Sequence, residues 1–287
     1  MPAFARRLSG GVGRGRRGMN GGPAQPLSAL PRAAWRHVVG IMTDIDDTLT
    51  ADGRLDLAAE RALCSLQQAG IPVIAITGRP LGWSEPFALS WPVAAIVAEN
   101  GAVALIRDDA RLNVEFAQDE ATRRRNAVRL QEVAQRVLRE VPAAVLARDS
   151  AGRVTDIAID HSEFTQLDAA AVARVVALMR QAGMNATVSS IHVNGWFGSH
   201  DKLSAAHWMV QRLYGRDLAA EIGRWVYVGD STNDQAMFAA FPLSVGVANL
   251  RRFAAELHTW PAYITEGERG AGFAEVAAHV LAASGRA

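Results

Sequence analysis

The stretch Val38-Val39-Gly40-Ile41-Met42-Thr43-Asp44-Ile45-Asp46-Asp47-Thr48 constrains this chain more than any other. The apolar run Val38 to Met42 reads as a buried strand, and three carboxylates within four residues follow it. Carboxylates packed this closely repel one another, and stripping them of water is costly. A divalent cation removes both difficulties. Asp44 and Asp46 share a parity, so at the end of an extended segment they point the same way. They then face the space beyond the strand's carboxyl end, where open α/β sheets bind their ligands. The plain alternative is an acidic turn that caps the next helix.

The flanking pattern sets a fold around this strand. Asp56 to Ala69 has the apolar spacing of an amphipathic helix and stops at Gly70. A second apolar strand, Pro72–Ile76, breaks at Thr77-Gly78-Arg79-Pro80. A short helix over Trp83–Leu89 and a strand over Ala94–Ala98 follow. Asn100-Gly101 then signals a hairpin into the strand Ala102–Ile106. Strand, helix and strand with continuous apolar strands predicts a parallel sheet covered on both faces. From about Asp108 the strands alternate, with helices over Glu120–Glu140 and Leu167–Ala182, which predicts an inserted antiparallel α+β unit. The first texture returns with a helix over Lys202–Tyr214, a strand Trp225–Val228, a helix Thr232–Ala240 and a strand Leu243–Val247. A strand Tyr263–Thr265 and a helix Phe273–Ala283 close the chain. The expected fold is therefore α/β: a doubly wound, mainly parallel sheet formed by 37–107 and 197–287, with a cap domain over 108–196.

Residues 1–36 are rich in Arg, Gly and Pro without apolar periodicity and read as a disordered basic tail. This tail hides the charge of the rest. Residues 1–40 hold seven Arg and no acid; 30 Lys and Arg less those seven leaves 23 against 29 acidic residues, a net charge near −6. Nucleic-acid binders show the opposite balance on the folded part, so none is expected as a partner. No apolar run reaches the roughly 18 residues of a membrane span. One cysteine, Cys64, rules out an internal disulfide and fits a reducing, cytoplasmic compartment. The chain uses Arg almost everywhere for positive charge; the lone Lys202 marks a place where a compact ammonium is wanted.

At the carboxyl ends of the core strands, or opening the helices after them, stand Asp44, Asp46, Thr77, Lys202, Asp230, Asn233 and Asp234. Each type has a task in phosphoryl transfer. A carboxylate can attack phosphorus and be released by water. A second can protonate the leaving oxygen and then deprotonate that water. A hydroxyl, an amide and an ammonium can hold the phosphoryl oxygens. Further carboxylates suit Mg²⁺.

These segments resemble the four motifs of the haloacid dehalogenase superfamily: Asp44-Ile45-Asp46-Asp47-Thr48-Leu49, Ile76-Thr77-Gly78-Arg79, Lys202, and Gly229-Asp230-Ser231-Thr232-Asn233-Asp234. Their order resembles the branch with a large cap between the second and third motifs, which includes sucrose-phosphate, trehalose-phosphate and mannosyl-phosphoglycerate phosphatases. Glu99-Asn100-Gly101-Ala102 and Gly246-Val247-Ala248-Asn249 resemble that branch too. The resemblance spans residues 38–284. It implies a Mg²⁺-dependent phosphatase of a small phosphorylated metabolite, in the sugar-phosphate class, as monomer or homodimer. It makes Asp44 the nucleophile of an aspartyl-phosphate and Asp46 the general acid/base. Thr77, Gly78, Lys202 and Asn233 would hold the phosphoryl group; Asp44, Asp46 (by its carbonyl), Asp230 and Asp234 would hold or support the metal. Asp47 departs from the family's usual Gly, and Leu203-Ser204 from its usual Gly-plus-small pair. The rivals are a phosphomutase on the same scaffold and a silent binding homologue. Arg79 reads as a structural or rim charge rather than a catalytic one, His161, His192 and His200 as packing or surface residues, and Trp83, Trp91, Trp196 and Trp208 as core or hinge packing, with Trp196 placed where it could stack on a sugar.

Overall fold

The computed structural model describes residues 24–108 and 111–284. Its centre is a nine-stranded sheet. In spatial order the strands are Gln25–Pro26, Tyr263–Ile264, Leu243–Gly246, Trp225–Gly229, Gly40–Thr43, Val73–Ile76, Ala95–Ala98, Val103–Asp108 and Arg111–Phe116. Every pairing from Gln25–Pro26 to Ala95–Ala98 is parallel. The last two strands run antiparallel through the predicted hairpin, whose turn places Glu99, Asn100 and Gly101 at positive φ. Gly40–Thr43 and Trp225–Gly229 are fully buried, as strands covered on both faces must be. One face packs Leu63, Leu66 and Phe273, and the other packs Met209, Phe238 and Phe241. The order reverses at Gly40–Thr43: the chain next builds outward through Val73–Ile76, and later returns to the other side with Trp225–Gly229. Asp44 and Asp230 follow these two neighbouring strands, and so they lie at the switch point.

The insertion folds as a second unit. Its strands Asn185–Val188, His192–Trp196, Asp156–Asp160 and Val145–Leu146 pair antiparallel in that order. The helices Glu120–Glu140 and Ala169–Gln181 cover one face, where Val193, Ile159, Ala186, Leu130 and Leu178 form a core. Alternation then fixes the other face. Asp156 and Asp160, His192, Asn194 and Trp196, and Thr187 turn away from those helices. They look onto the carboxyl end of the main sheet. The expected open face is in fact the roof over the core strand ends.

Two expected boundaries are corrected. The cap does not begin at residue 108: Arg111–Phe116 pairs with Val103–Asp108 in the main sheet, so the insertion starts after Phe116. Nor is the whole of 1–36 unstructured. Residues 24–36 pack on the core: Gln25–Pro26 adds an edge strand beside Tyr263–Ile264, and Leu27, Leu30 and Trp35 are buried. Trp35 stacks on His279 of the last helix at 5.3 Å. Three apolar anchors in a Pro-rich segment suffice without any helical or strand period. Residues 1–23 lie outside the described residues. If residues 27–35 are part of the core, Trp35→Ala should lower stability to urea by about 3–5 kcal/mol; an unchanged midpoint would show that this segment is loosely attached.

Candidate active site

The site is built from four strand ends. Asp44 leaves Gly40–Thr43 with its N–H bonded to the Val228 carbonyl at 2.9 Å, so the neighbouring strand Trp225–Gly229 fixes its backbone. Lys202 opens the helix Lys202–Tyr214. Asp201 caps that helix by accepting from Ser204 N at 2.7 Å, while the Ser204 hydroxyl accepts from Asp201 N, which sets the axis that carries Lys202 inward. The Asp201 backbone passes so close to Gly101 that a Cβ there would lie 2.3 Å from the Asp201 carbonyl oxygen. Gly101 has φ +106°, so glycine is required twice over.

Lys202 Nζ lies 2.7 Å from Asp234 Oδ1 and 3.0 Å from Asp44 Oδ2. The Tyr227 hydroxyl also donates to Asp234 Oδ1, at 2.5 Å, and the N–H groups of Asp230 and Ser231 donate to Asp234 Oδ2 at 3.0 and 3.2 Å. Asp234 is thus occupied on both oxygens and acts as the seat of Lys202. Asp230 is different: its oxygens receive only long bonds, 3.4 Å from Thr48 Oγ1 and 3.4 Å from Asn249 Nδ2. Asn249 is held in turn by the Asp47 carbonyl it donates to and by Arg269 N. Asp47, the expected departure, turns its carboxylate to Arg269, 2.8 Å away.

Oxygens of Asp44, Asp230 and Asp234 lie within 4.8 Å of one another, all on buried residues. One ammonium does not balance them. Burial pushes Asp44 up to about 7 against the pull of Lys202, with Asp234 and Asp46 adding to the rise. Burial, then Asp44 and Asp234, raises Asp230 well above the carboxylate range. Lys202 is raised despite its burial, because Asp234 and Asp44 flank it. An acid-rich, oxygen-only donor set short of positive charge fits Mg²⁺. Asp44 and Asp230 have the oxygens to hold it, and Asp234 supports them through Lys202.

Thr77 is buried beside this cluster, its hydroxyl accepting from Arg79 N at 3.0 Å. Asn233 lines the same crevice, and its Oδ1 accepts from the Ser231 hydroxyl at 2.8 Å. Gly78 stands at the seam with the cap: its carbonyl accepts from Arg153 at 3.0 Å and Asn194 at 3.3 Å, and a Cβ at this position would lie 3.2 Å from Asn100 Oδ1 and 3.3 Å from Asn194 Oδ1.

Of the two sequence readings of Arg79, a structural or a rim charge, the structure overturns the rim placement. Arg79 is buried and joins core to cap. Its Nε donates to both oxygens of Asp46 at 2.9 and 3.1 Å; its other nitrogens reach Glu163 at 2.8 Å and Asp149 at 3.3 Å. His192, also taken as a packing residue, meets Glu163 at 2.9 Å. Burial alone would raise Glu163, but the bonds from His192 and Arg79 bring it down to about 2. Glu163 is set in place by Asp160, which accepts from Glu163 N and Phe164 N at 2.9 and 3.0 Å. A second set of contacts closes the seam. Glu99 accepts from Leu81 N within the core and from Val154 N, Thr155 N and the Thr155 hydroxyl of the cap. Arg153 pairs with Asp156 and Asp149. The partnerships that cross the seam, from Arg79 to Asp149 and Glu163 and from Glu99 to Val154 and Thr155, do not follow from spacing, since they join residues far apart along the chain. Only the parity of the cap strands could have marked His192 and Asn194 as facing inward.

Trp196 is buried, donates to the His200 carbonyl and stacks on the His200 ring. His200 is pushed down to about 4 by burial, and neither ring nitrogen has a partner. Both residues border a neighbouring cleft rather than the catalytic crevice. Arg148 lies over the Phe164 ring.

Comparison with known proteins agrees with this geometry. Residues 41–137 match the family described as haloacid dehalogenase-like hydrolase. The chain is 28% identical over 239 residues to a phosphoglycolate phosphatase of Methanothermobacter thermautotrophicus, covering 82% of this chain and 95% of that one. The fold is similar to that of the sucrose-phosphatase of Synechocystis, with a TM-score of 0.61, 16% identity, and coverage of 85% of this chain and 98% of that one. It is also similar to the C-terminal domain of the trehalose-6-phosphate phosphatase of C. albicans, with a TM-score of 0.62, 13% identity, and coverage of 92% and 99%. In the residues of its strand ends, in the matched segment and in its core-and-cap fold, this chain is similar to the haloacid dehalogenase-like hydrolases.

Proposed function

We propose that the protein is a phosphatase that hydrolyses the monoester of a small phosphorylated metabolite, of the sugar-phosphate class, through an aspartyl-phosphate on Asp44. One observation carries this reading. Asp44, Lys202, Asp230 and Asp234 come from distant parts of the chain and meet in one buried cluster at the sheet's switch point. The resemblance of the strand-end motifs and the named relatives support the same class.

In the first half-reaction an Asp44 carboxylate oxygen attacks phosphorus as the bond from phosphorus to the leaving oxygen breaks. Asp46 gives its proton to that oxygen, so the leaving group departs as a neutral alcohol. In the second, Asp46 takes a proton from water as the water oxygen attacks phosphorus. The bond between Asp44 and phosphorus breaks, and phosphate and the Asp44 carboxylate are regenerated. Thr77, the backbone at Gly78, Asn233 and Lys202 hold the phosphoryl oxygens, and Lys202 also steadies the Asp44 charge. Mg²⁺, held by Asp44 and Asp230 with the Asp46 carbonyl, would supply charge neutralisation on the transferring group. Asp46 is gripped by Arg79 in this arrangement, so its proton transfers require Arg79 to loosen that grip when substrate is present. The crevice between Asp44, Asp46, Arg79 and the cap is about 10 Å³, room for a single water. The cap therefore opens to admit substrate and closes to exclude solvent.

The phosphomutase reading loses ground here. It needs a cap that greets a second phosphoryl group with positive charge, whereas the cap presents Glu163, Asp149 and Asp156 at the seam.

Asp44→Asn should lower turnover of p-nitrophenyl phosphate by on the order of 10³ or more with the fold intact by circular dichroism; turnover within a few-fold of the parent would refute the nucleophile. Extensive treatment with EDTA should remove activity, and Mg²⁺ should restore it. Full activity after chelation would remove the metal from the scheme.

A further inference from the structure

The linker from Phe197 to Asp201 carries the chain from the cap strand His192–Trp196 to the core helix Lys202–Tyr214. The charged side chains of the closed seam are paired: Arg79 with Asp46 and Glu163, Arg153 with Asp156, and Glu99 with backbone donors of the cap. His200, in the linker, is the exception. It is 6% exposed, and among the described residues neither Nδ1 nor Nε2 has a partner. Its neighbours are committed elsewhere. The Asp201 carboxylate accepts from Ser204 N at 2.7 Å. Gln118, on the outgoing linker, donates to the Phe197 carbonyl at 2.7 Å and accepts from Asn126 at 3.2 Å. What the His200 ring meets is Trp196, stacked with centroids 5.9 Å apart. The ring stands between two clefts of about 500 and 560 Å³ and borders both. Two cap hydroxyls, Thr187 and Ser190, are likewise unpartnered, but a hydroxyl leaves one atom unsatisfied where the imidazole leaves two.

We propose that His200 is a hinge residue that destabilises the closed cap: closure strips its imidazole of water without giving it a partner, and opening returns that water. A buried polar group in this condition loses its hydration and gains no hydrogen bond in exchange. Burial pushes the ring down to about 4, the direction expected of an imidazole cut off from solvent. Solvent is one side chain away, because parting Trp196 from the ring opens it to either cleft. The pivot lies beside it. Gly198 has φ +125°, and a Cβ there would run into the Gln118 amide, so this position is reserved for glycine. The bond from Gln118 to Phe197 ties the two linkers, and they turn together. The penalty at His200 opposes the ion pairs that Arg79 makes across the seam, so the closed state does not become a trap. This goes beyond the phosphatase reading and holds whichever ester is cleaved.

His200→Phe keeps a ring that can stack on Trp196 and removes both nitrogens. Amide hydrogen exchange on the full chain without substrate reads the opening directly. The N–H groups of Val154 and Thr155 donate to Glu99 across the seam, so they exchange when the cap lifts. In His200→Phe their exchange should slow about fivefold or more, the scale of one unpartnered buried polar group. His200→Gln puts polar atoms back in the same place and should exchange near the parent rate. A residue that merely packs the linker gives the opposite sign, since replacing it loosens the seam and speeds exchange. Unchanged or faster exchange in His200→Phe therefore overturns the proposal. Equal slowing in His200→Gln overturns it too, because the polar atoms are then not the cause. So does failure of His200→Phe to fold, since an apolar ring should be tolerated where an imidazole is left unsatisfied. Turnover of p-nitrophenyl phosphate tests the phosphatase reading separately, and its loss would leave the exchange result standing.

Discussion

The whole site depends on keeping several carboxylates together in a space with little water. Asp44, Asp230 and Asp234 are all buried at the switch point of the sheet; besides the burial itself, Asp234 raises the cost of ionising Asp44, and Asp44 and Asp234 raise that of Asp230. Lys202 makes the arrangement tenable. Its ammonium sits between Asp44 and Asp234, and Asp234 is further satisfied by Tyr227 and two backbone N–H groups. A point charge on a flexible stem suits this position better than a planar guanidinium, which would need two coplanar acceptors. The remaining deficit falls on Asp44 and Asp230, where a divalent cation can meet it. Buried charge of this kind contributes little to stability and is tolerated for the chemistry it allows.

A second electrostatic system, organised by Arg79, couples this core to the cap. In the core it grips Asp46; in the cap it meets Glu163 and Asp149. One side chain thus senses whether the roof is in place and holds the group assigned to proton transfer. Glu99 performs a similar task through backbone donors, accepting from Val154 N and Thr155 N. The seam is largely polar, as expected of a surface that must part and rejoin: polar contacts can be exchanged for water at modest cost, whereas a dry apolar seam would resist opening.

Much of the core was legible in the sequence because its signals are local. The apolar strand before Asp44, the helix from Asp56 to Gly70, the Asn-Gly turn and the helix Lys202–Tyr214 each carry their own periodicity or stop residue. Their order implied a parallel sheet, and a parallel sheet brings strand ends to one edge. The edge segment at 24–36 was not legible. Its hold on the core comes from Leu27, Leu30 and Trp35, three side chains without a repeating pattern. The cap boundary was misread for a related reason: Arg111–Phe116 looks like the alternating strands that follow it, and only pairing with Val103–Asp108 assigns it to the main sheet.

The sequence by itself determined which residues could do chemistry and in what order they arrive: a strand ending in Asp44 and Asp46, a Thr-Gly-Arg break, one lysine, and a second acidic strand end. It determined this because residue type and strand parity are properties of short segments. Only the tertiary structure decided that Asp234 seats Lys202 while Asp230 is left with weak partners, that Arg79 belongs to the interior, and that His192 lines the crevice while Glu163 pairs with Arg79. Those outcomes depend on distances between residues whose separation along the chain carries no information, and on which face of the cap sheet the helices Glu120–Glu140 and Ala169–Gln181 leave uncovered.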